Sequence, residues 1–392
     1  MAIKILSVDD ELDMEMLIKQ MFRPQIREKK YQFYFAHNGI EALEILRENN
    51  DISLILSDIN MPGMDGLTFL TKVNDLKAPL LKAVMISAYG DMDNIRSAMN
   101  RGAFDFITKP IKFEDLEITV KKTIEHIEML SRLQHEHDQL LAIQTDLNIA
   151  KDIQQSMLPK VSNPFIESKA LDLHAFLEPA KSVGGDLFDY FMMDDERLFF
   201  IIGDVSDKGI PASLYMAITK AIFKSHFLNK NCGDFCDEVN QINTFLSSDN
   251  PSFMFVTAFV GLLYVKTGRV EYIDAGHEPP LIIRKGKGIE VLKKRGGLAL
   301  SIDGTFTYKS QELFLEPGDT LFMYTDGATD ANNSAGERFG LKRIEELIGS
   351  MDDTESPKVI NDVVRQQLQE FIGSHYQFDD ITVLTIRYMG SA

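Results

Sequence analysis

Cysteine is nearly absent from this chain: Cys232 and Cys236 are the only two. Two thiols at that spacing complete neither a zinc site nor a disulfide framework, so they read as ordinary reduced residues. Basic charge is also short, with 41 Lys and Arg against 59 Asp and Glu, a net of −18. That balance, together with the lack of a terminal helix-turn-helix pattern, argues against a nucleic-acid-binding surface and a transcription factor. Long apolar runs are missing. The most apolar stretch, Phe253 to Val265, is broken by Thr257 and Gly261 and is too short to cross a bilayer. Met1-Ala2-Ile3-Lys4 leads straight into a strand pattern with no signal-peptide character, so a cytoplasmic protein is expected.

What is present is acid in a repeated setting. Gly184-Gly185-Asp186, Gly203-Asp204-Val205-Ser206, Tyr324-Thr325-Asp326-Gly327 and Asp379-Asp380-Ile381-Thr382 each adjoin a β-branched or aromatic run that reads as a buried strand. A single aspartate beside glycine is ordinarily a solvated turn residue. Four at strand ends can converge, and converging carboxylates repel unless a cation sits among them. The pattern predicts a two-metal hydrolytic centre. Residues 1–123 hold 16 basic and 19 acidic side chains, a net of −3, so most of the negative charge lies downstream, with the proposed centre.

The first third has a different rhythm. Strand patterns at Ile3–Val8, Tyr31–Ala36, Ile52–Ser57, Ala83–Ile86 and Phe104–Ile107 alternate with helical ones. Leu12, Met16, Leu17 and Met21 form one predicted helical stripe, and Ala42, Leu43, Ile45 and Leu46 another. Five βα units predict a doubly wound five-stranded parallel sheet, with its ligand site beyond the carboxyl ends of the strands. Asp9, Asp10, Asp58, Ser87 and Lys109 all fall at that edge. Three carboxylates, a hydroxyl and an ammonium predict a site for Mg²⁺ and phosphate.

At these residues the chain resembles the receiver domain of two-component response regulators. Val8-Asp9-Asp10-Glu11, the loop Asp58 to Gly66, Ser87-Ala88 and Thr108-Lys109-Pro110 carry the resemblance over about 120 residues. It implies that Asp58 is the phosphoacceptor, phosphorylated by a sensor histidine kinase. Asp10, Asp58 and the Asn60 carbonyl would hold Mg²⁺, with Asp9 in support. Ser87 and Phe106 would be the switch pair, with Lys109 on the phosphoryl oxygens and a cis peptide before Pro110.

From Glu114 to Met157 there is neither Gly nor Pro. One extended helix is expected. Met129, Leu133, Leu140, Ile143, Leu147, Ala150 and Met157 follow three- and four-residue steps, interrupted only by polar Glu136 and Gln154. That period predicts a coiled coil and a parallel homodimer; a helix packed on its own domain is the alternative.

The remaining half mixes hairpin signals (Val256–Val265 with Arg269–Ile273) with helical segments at Ile210–Leu228, Asp234–Leu246, Leu341–Gly349 and Pro357–Phe371. An α+β sandwich flanked by helices is expected. With the four aspartate segments, Asp274-Ala275-Gly276-His277-Glu278-Pro279-Pro280 and Glu337-Arg338-Phe339-Gly340, this half resembles the bacterial PPM (PP2C-type) serine/threonine phosphatases of the stress-response and sporulation branch. The resemblance implies two Mn²⁺ or Mg²⁺ ions bridged by Asp204. Asp186 and the Val205 carbonyl would contribute on one side, and Asp326 and Asp379 on the other. Ser206 stands where eukaryotic relatives place a histidine, and Asp207-Lys208-Gly209 departs from the common bacterial continuation. Lys208 is either a phosphate-steering residue or a turn lysine. His277 is expected to be structural, and Asp189, Asp330 and Asp380 to support the ligands.

The chain is thus expected to comprise a receiver domain at 1–123, a coiled-coil linker at 124–158 and a phosphatase domain at 159–392. Its expected substrate is a phosphorylated anti-sigma-factor antagonist, with a non-catalytic adaptor in sigma-factor control as the alternative. Light scattering should return a dimer mass for the wild type, and replacing Leu140 and Leu147 together by Asp should return a monomer.

Overall fold

The structure is a computed structural model that describes residues 2–88, 91–159, 170–229, 233–248, 250–293 and 296–390; Cys232 lies outside them. The chain forms two compact units, 1–143 and 144–392.

In the first unit the elements run β1 (Ile3–Val8), α1 (Leu12–Met21), α2 (Arg23–Arg27), β2 (Tyr31–Ala36), α3 (Gly39–Glu48), β3 (Ile52–Asp58), α4 (Gly66–Asp75), β4 (Lys82–Ser87), α5 (Met92–Asn100) and β5 (Asp105–Thr108). The five strands form a parallel sheet in the order β2-β1-β3-β4-β5, with the order reversing at β1. Each central strand buries both faces, which is why these strands read as apolar runs rather than alternating ones. Ile5, Leu54, Leu56, Val84 and Ile86 pack on one side, and Leu6, Ile55 and Met85 on the other. The predicted stripe of α1 is corrected in part: Leu17 and Met21 pack on the core beside buried Met14, Ile18 and Phe22, but Leu12 and Met16 are exposed. The apolar residues of α1 occupy most of its circumference, so periodicity alone could not choose the face. In α3, Ala42 and Leu46 are buried, with Leu43 and Ile45 packed beside them as expected.

Helix α6 (Phe113–Met157) is continuous for 45 residues, as the lack of breakers predicts. Its first turns bury Leu116, Val120, Ile124 and Ile127 in the first unit's core. Farther along, Met129, Leu133, Leu140 and Ile143 are exposed.

The second unit contains β6 (Leu171–Glu178), β7 (Leu187–Met192), β8 (Arg197–Val205), α7 (Ile210–Phe227), α8 (Phe235–Ser248), β9 (Val256–Tyr264), β10 (Arg269–Ala275), β11 (Leu281–Arg284), β12 (Gly288–Val291), β13 (Gln311–Phe314) and β14 (Thr320–Tyr324). They are followed by α9 (Asp326–Thr329), α10 (Gly340–Gly349), α11 (Pro357–Ile372) and β15 (Ile381–Tyr388). Two five-stranded antiparallel sheets result, β13-β10-β9-β8-β7 and β12-β11-β14-β15-β6. The two-residue period of a strand assigns its side chains to layers. On β8, Leu198, Phe200 and Ile202 face the other sheet, whereas Phe199 and Ile201 face α7 and α8. On β15, Leu384 and Ile386 point into the sandwich, and Ile381 and Val383 meet α10 and α11. The layers therefore run helix, sheet, sheet, helix.

Gly261 in β9 shows how tightly the inter-sheet layer is filled. A Cβ there would lie 2.3 Å from the ring of Phe200, which is fully buried. Replacing a strand glycine by alanine ordinarily gains about 0.5–1 kcal/mol. Here overpacking should reverse the sign, so Gly261→Ala should cost about 1–3 kcal/mol in a denaturant titration.

Candidate active sites at the strand ends

Each unit gathers its acids at the ends of its strands. In the first unit Asp9 follows β1 and Asp58 ends β3, adjacent parallel strands whose carboxyl ends lie side by side. Asp9, Asp10 and Asp58 each place a carboxylate oxygen within 4.8 Å of the others. Lys109, following β5, brings Nζ to 3.1 Å from Asp9 Oδ2 and 3.3 Å from Asp58 Oδ2. Its backbone N–H donates to the Ser87 carbonyl (2.7 Å), which ties the β5 loop to β4, and the Lys109–Pro110 peptide is cis. Burial raises the Asp58 carboxyl, with Asp9 adding to this and Lys109 opposing it. Burial lowers the Lys109 ammonium, but Asp58 and Asp9 outweigh it and hold the group above its ordinary value. Ser87 Oγ is fully buried with no hydrogen-bond partner among the described residues. A hydroxyl and an ammonium beside three hard oxygen donors suit a divalent cation and a phosphoryl group. Asn60 is exposed just beyond β3, and Phe106 is exposed on β5.

In the second unit antiparallel pairing does the gathering. The start of β7 lies against the end of β8, with Leu187 opposite Gly203, so Asp186 and Asp204 share one sheet edge. Likewise Tyr324 at the end of β14 lies opposite Val383 of β15, which brings together Asp326 and Asp379. The two edges meet. Asp186 Oδ2, on the first sheet, accepts hydrogen bonds from Thr325 Oγ1 (2.8 Å) and Thr382 Oγ1 (2.6 Å), both on the second. Asp380 adds a second tie: its carboxylate accepts from the backbone N–H of Ala180 and of Gly185, each at 2.7 Å. Gly184 is required here, because a Cβ would lie 2.1 Å from Asp380 Oδ2.

The electrostatics follow from that crowding. Burial, then the Asp204 and Asp380 charges, hold Asp186 well above the usual carboxylate range despite the two threonine hydroxyls. Burial, then Asp326 and Asp379, push Asp204 up to about 7. Burial, then Asp379, Asp330 and Glu278, raise Asp326. Carboxyls in this condition need protons or cations, and an all-oxygen donor set fits a hard divalent ion. Among the described residues, however, only the first unit's trio brings three acids within 4.8 Å. Lys208 supplies one positive charge: its Nζ lies 2.8 Å from Asp379 Oδ2, donates to the Phe378 carbonyl (2.8 Å) and sits 3.9 Å from the centroid of the Phe378 ring. It is therefore part of the acidic group rather than a free turn lysine. The Val205 carbonyl lies 3.0 Å from the position of a Cβ on Gly185, so it too adjoins the Gly-Gly-Asp loop.

Other residues take different roles. Ser206 extends the β8–β9 pairing past Val205 and Val256, donating its N–H to the Phe255 carbonyl (2.9 Å) and accepting the Phe255 N–H on Oγ (3.0 Å). The His277 backbone N–H donates to Asp274 Oδ1 (3.1 Å), and its Nδ1 lies 3.3 Å from Thr257 Oγ1, in keeping with a structural residue. Asp189 pairs with Lys220 of α7 at 2.6 Å, both side chains 3% exposed, and Asp330 pairs with Arg338 at 3.0 Å. The two threonines on Asp186 were not singled out from sequence, although both stood inside the segments already identified. From sequence Gln154 reads only as a polar interruption of an apolar stripe, and Glu278, although inside the Asp274–Pro280 segment, is given no role of its own.

Two family descriptions match: "Response regulator receiver domain" over residues 5–121 and "Stage II sporulation protein E (SpoIIE)" over 194–389, half of the chain. The chain belongs to the SpoIIE family and carries a receiver domain. Protein IcfG of a Synechocystis species is 30% identical over 266 residues, covering 62% of this chain and 41% of its own length, so the chain spans less than half of that relative. Phosphoserine phosphatase RsbU of Bacillus subtilis is 29% identical over 258 residues, 64% of this chain and 74% of RsbU. The SiaA PP2C domain of Pseudomonas aeruginosa superposes with a TM-score of 0.55 at 22% identity, covering 64% of this chain and 98% of that domain, which shows a shared fold. The second unit thus shares the fold of that PP2C domain.

The raised carboxyls make a stability prediction for the metal-free protein. Asp204 holds its proton more tightly folded than unfolded, so its contribution is fully present below the ordinary carboxylate range and is lost as pH rises through about 7. Calorimetry in EDTA should show the second unit's melting temperature falling between about pH 4 and pH 7. Mn²⁺ or Asp204→Asn should flatten that fall.

Proposed function

We propose that this chain is a response regulator whose output is a metal-dependent protein serine/threonine phosphatase. The receiver (1–123) is phosphorylated on Asp58 by a histidine kinase, the helical linker (124–158) relays the change, and the remainder (159–392) hydrolyses a phosphoserine or phosphothreonine. The observation that carries the reading is the convergence of Asp186, Asp204, Asp326 and Asp379 from two different sheets, in a chain that also holds the Asp9, Asp10, Asp58 and Lys109 cluster.

In the receiver, the Asp58 carboxylate is the nucleophile toward phosphorus. Lys109 Nζ, 3.3 Å from Asp58 Oδ2, would receive a transferred phosphoryl oxygen, and Ser87 Oγ would offer a further hydroxyl. Asp10, Asp58 and the Asn60 carbonyl would hold Mg²⁺, with Asp9 beside them. In the phosphatase, Asp186, Asp204, Asp326, Asp379 and the Val205 carbonyl would hold two Mn²⁺ or Mg²⁺ ions. Such ions, when bound, supply a water of lowered pKa and neutralise the carboxylates. The Thr325 and Thr382 hydroxyls fix the Asp186 carboxylate, and Asp380 fixes the loop that carries it. No protein nucleophile is needed at this site.

The substrate class follows from kinship with a protein called a phosphoserine phosphatase, and we take it to be a phosphorylated anti-sigma-factor antagonist. The exposed apolar residues of α6 support a parallel homodimer. Among the described residues no helix is long and apolar enough to cross a membrane, and we place the protein in the cytoplasm.

Wild-type protein with Mn²⁺ should turn over p-nitrophenyl phosphate, and Asp204→Ala or Asp326→Ala should lower kcat by at least about 100-fold. Acetyl phosphate should change the rate of wild type but not of Asp58→Ala. Wild type without turnover would leave the adaptor reading.

A further inference from the structure

Gln154 breaks the pattern of its surroundings. It lies in the last turn of α6, where Ile153 and Gln155 are exposed, yet it is itself only 7% exposed. Its amide makes two hydrogen bonds to one residue: Nε2 donates to the Gly184 carbonyl (2.7 Å), and Oε1 accepts the Gly184 N–H (3.1 Å). This is the pairing one strand residue offers another, supplied by a side chain. A carboxamide carries a donor and an acceptor side by side, spaced to match one residue's N–H and C=O; ionised glutamate lacks the donor, leucine lacks both groups, and asparagine is one methylene shorter.

Gly184 is held from two directions. Gln154 takes its backbone N–H and C=O, while Asp380 leaves no room for a Cβ and accepts the N–H of Gly185, the next residue. Asp186 follows directly, its carboxylate under Thr325 and Thr382. The position of Asp186 therefore depends on a loop clamped by Asp380 on one side and by the end of α6 on the other. Leu158, just past the helix, packs on the inter-sheet core and holds that end in place.

We propose that Gln154 is a positioning residue for Asp186, through which the last turn of α6 controls the geometry of the phosphatase centre. This rests on the phosphatase reading given above. A shift of α6 along or about its axis acts first on the Gly184 peptide, because that is where the helix grips the loop. The polar residue that interrupts the predicted coiled-coil stripe is thus engaged by its own domain, and a dimer seam ends before it.

The test is amide hydrogen exchange on the full-length protein, wild type against Gln154→Ala and Gln154→Glu, with the exposed neighbour Gln155→Ala as control. The informative amides are those of Gly185 and Asp186, which bond to Asp380 rather than to Gln154. Their exchange should accelerate at least about tenfold in Gln154→Ala and less in Gln154→Glu, with amides of β8 and β9 unchanged. The Mn²⁺ concentration for half-maximal turnover should rise about five- to tenfold, the effect of leaving two buried backbone groups unpaired. Gln155→Ala should match wild type in both. Unchanged exchange at Gly185 and Asp186 overturns the proposal, as does acceleration spread equally over β8 and β9. Where the alanine variant does not fold, the same criteria apply to Gln154→Glu. Wild type inactive with Mn²⁺ would overturn the phosphatase reading instead, and the exchange data would still decide the clamp.

Discussion

Mutual repulsion among buried carboxylates is the constraint around which the second unit is organised. Asp186 is buried, and burial first, with the neighbouring aspartates adding to it, raises the carboxyls of Asp186, Asp204 and Asp326. Such a group is costly to assemble without compensating charge. One lysine, Lys208, reaches Asp379, and two threonine hydroxyls reach Asp186. The receiver handles the same problem on a smaller scale, with Lys109 shared between Asp9 and Asp58.

Holding acids together demands a stiff frame. The sandwich provides it by making strands such as β8 and β15 apolar on both faces, one toward the opposing sheet and one toward a helix pair. Antiparallel pairing then sets the end of one strand beside the start of the next, so each sheet delivers two aspartates to its edge. Hydrogen bonds between edges, from Thr325 and Thr382 to Asp186, lock the pairs into one site. In the receiver, parallel pairing brings strand ends together by a different route, since adjacent carboxyl ends share a single edge.

Helix α6 shows the same economy of means in a linear element. Its early turns belong to the receiver core, its middle presents apolar residues outward, and its last turn grips the Gly-Gly-Asp loop. One residue pattern therefore serves three environments. A single periodicity read along it is bound to fail somewhere, and it does so at Gln154.

Much of this was legible in the residue order. Alternation of strand and helix patterns, glycine and aspartate at strand ends, and the 44 residues free of helix breakers are local signals, and local signals survive in sequence. They determined the receiver sheet, the long helix, the sandwich and which aspartates stand at strand ends. The tertiary structure alone decided which face α1 buries, because its apolar residues nearly encircle it. It also separated Asp380, which holds backbone N–H groups, from Asp379 beside it, and it sent Asp189 to Lys220. Those outcomes depend on partners as many as 200 residues away, and a side chain's neighbours across such a distance are chosen by packing rather than by anything written next to it.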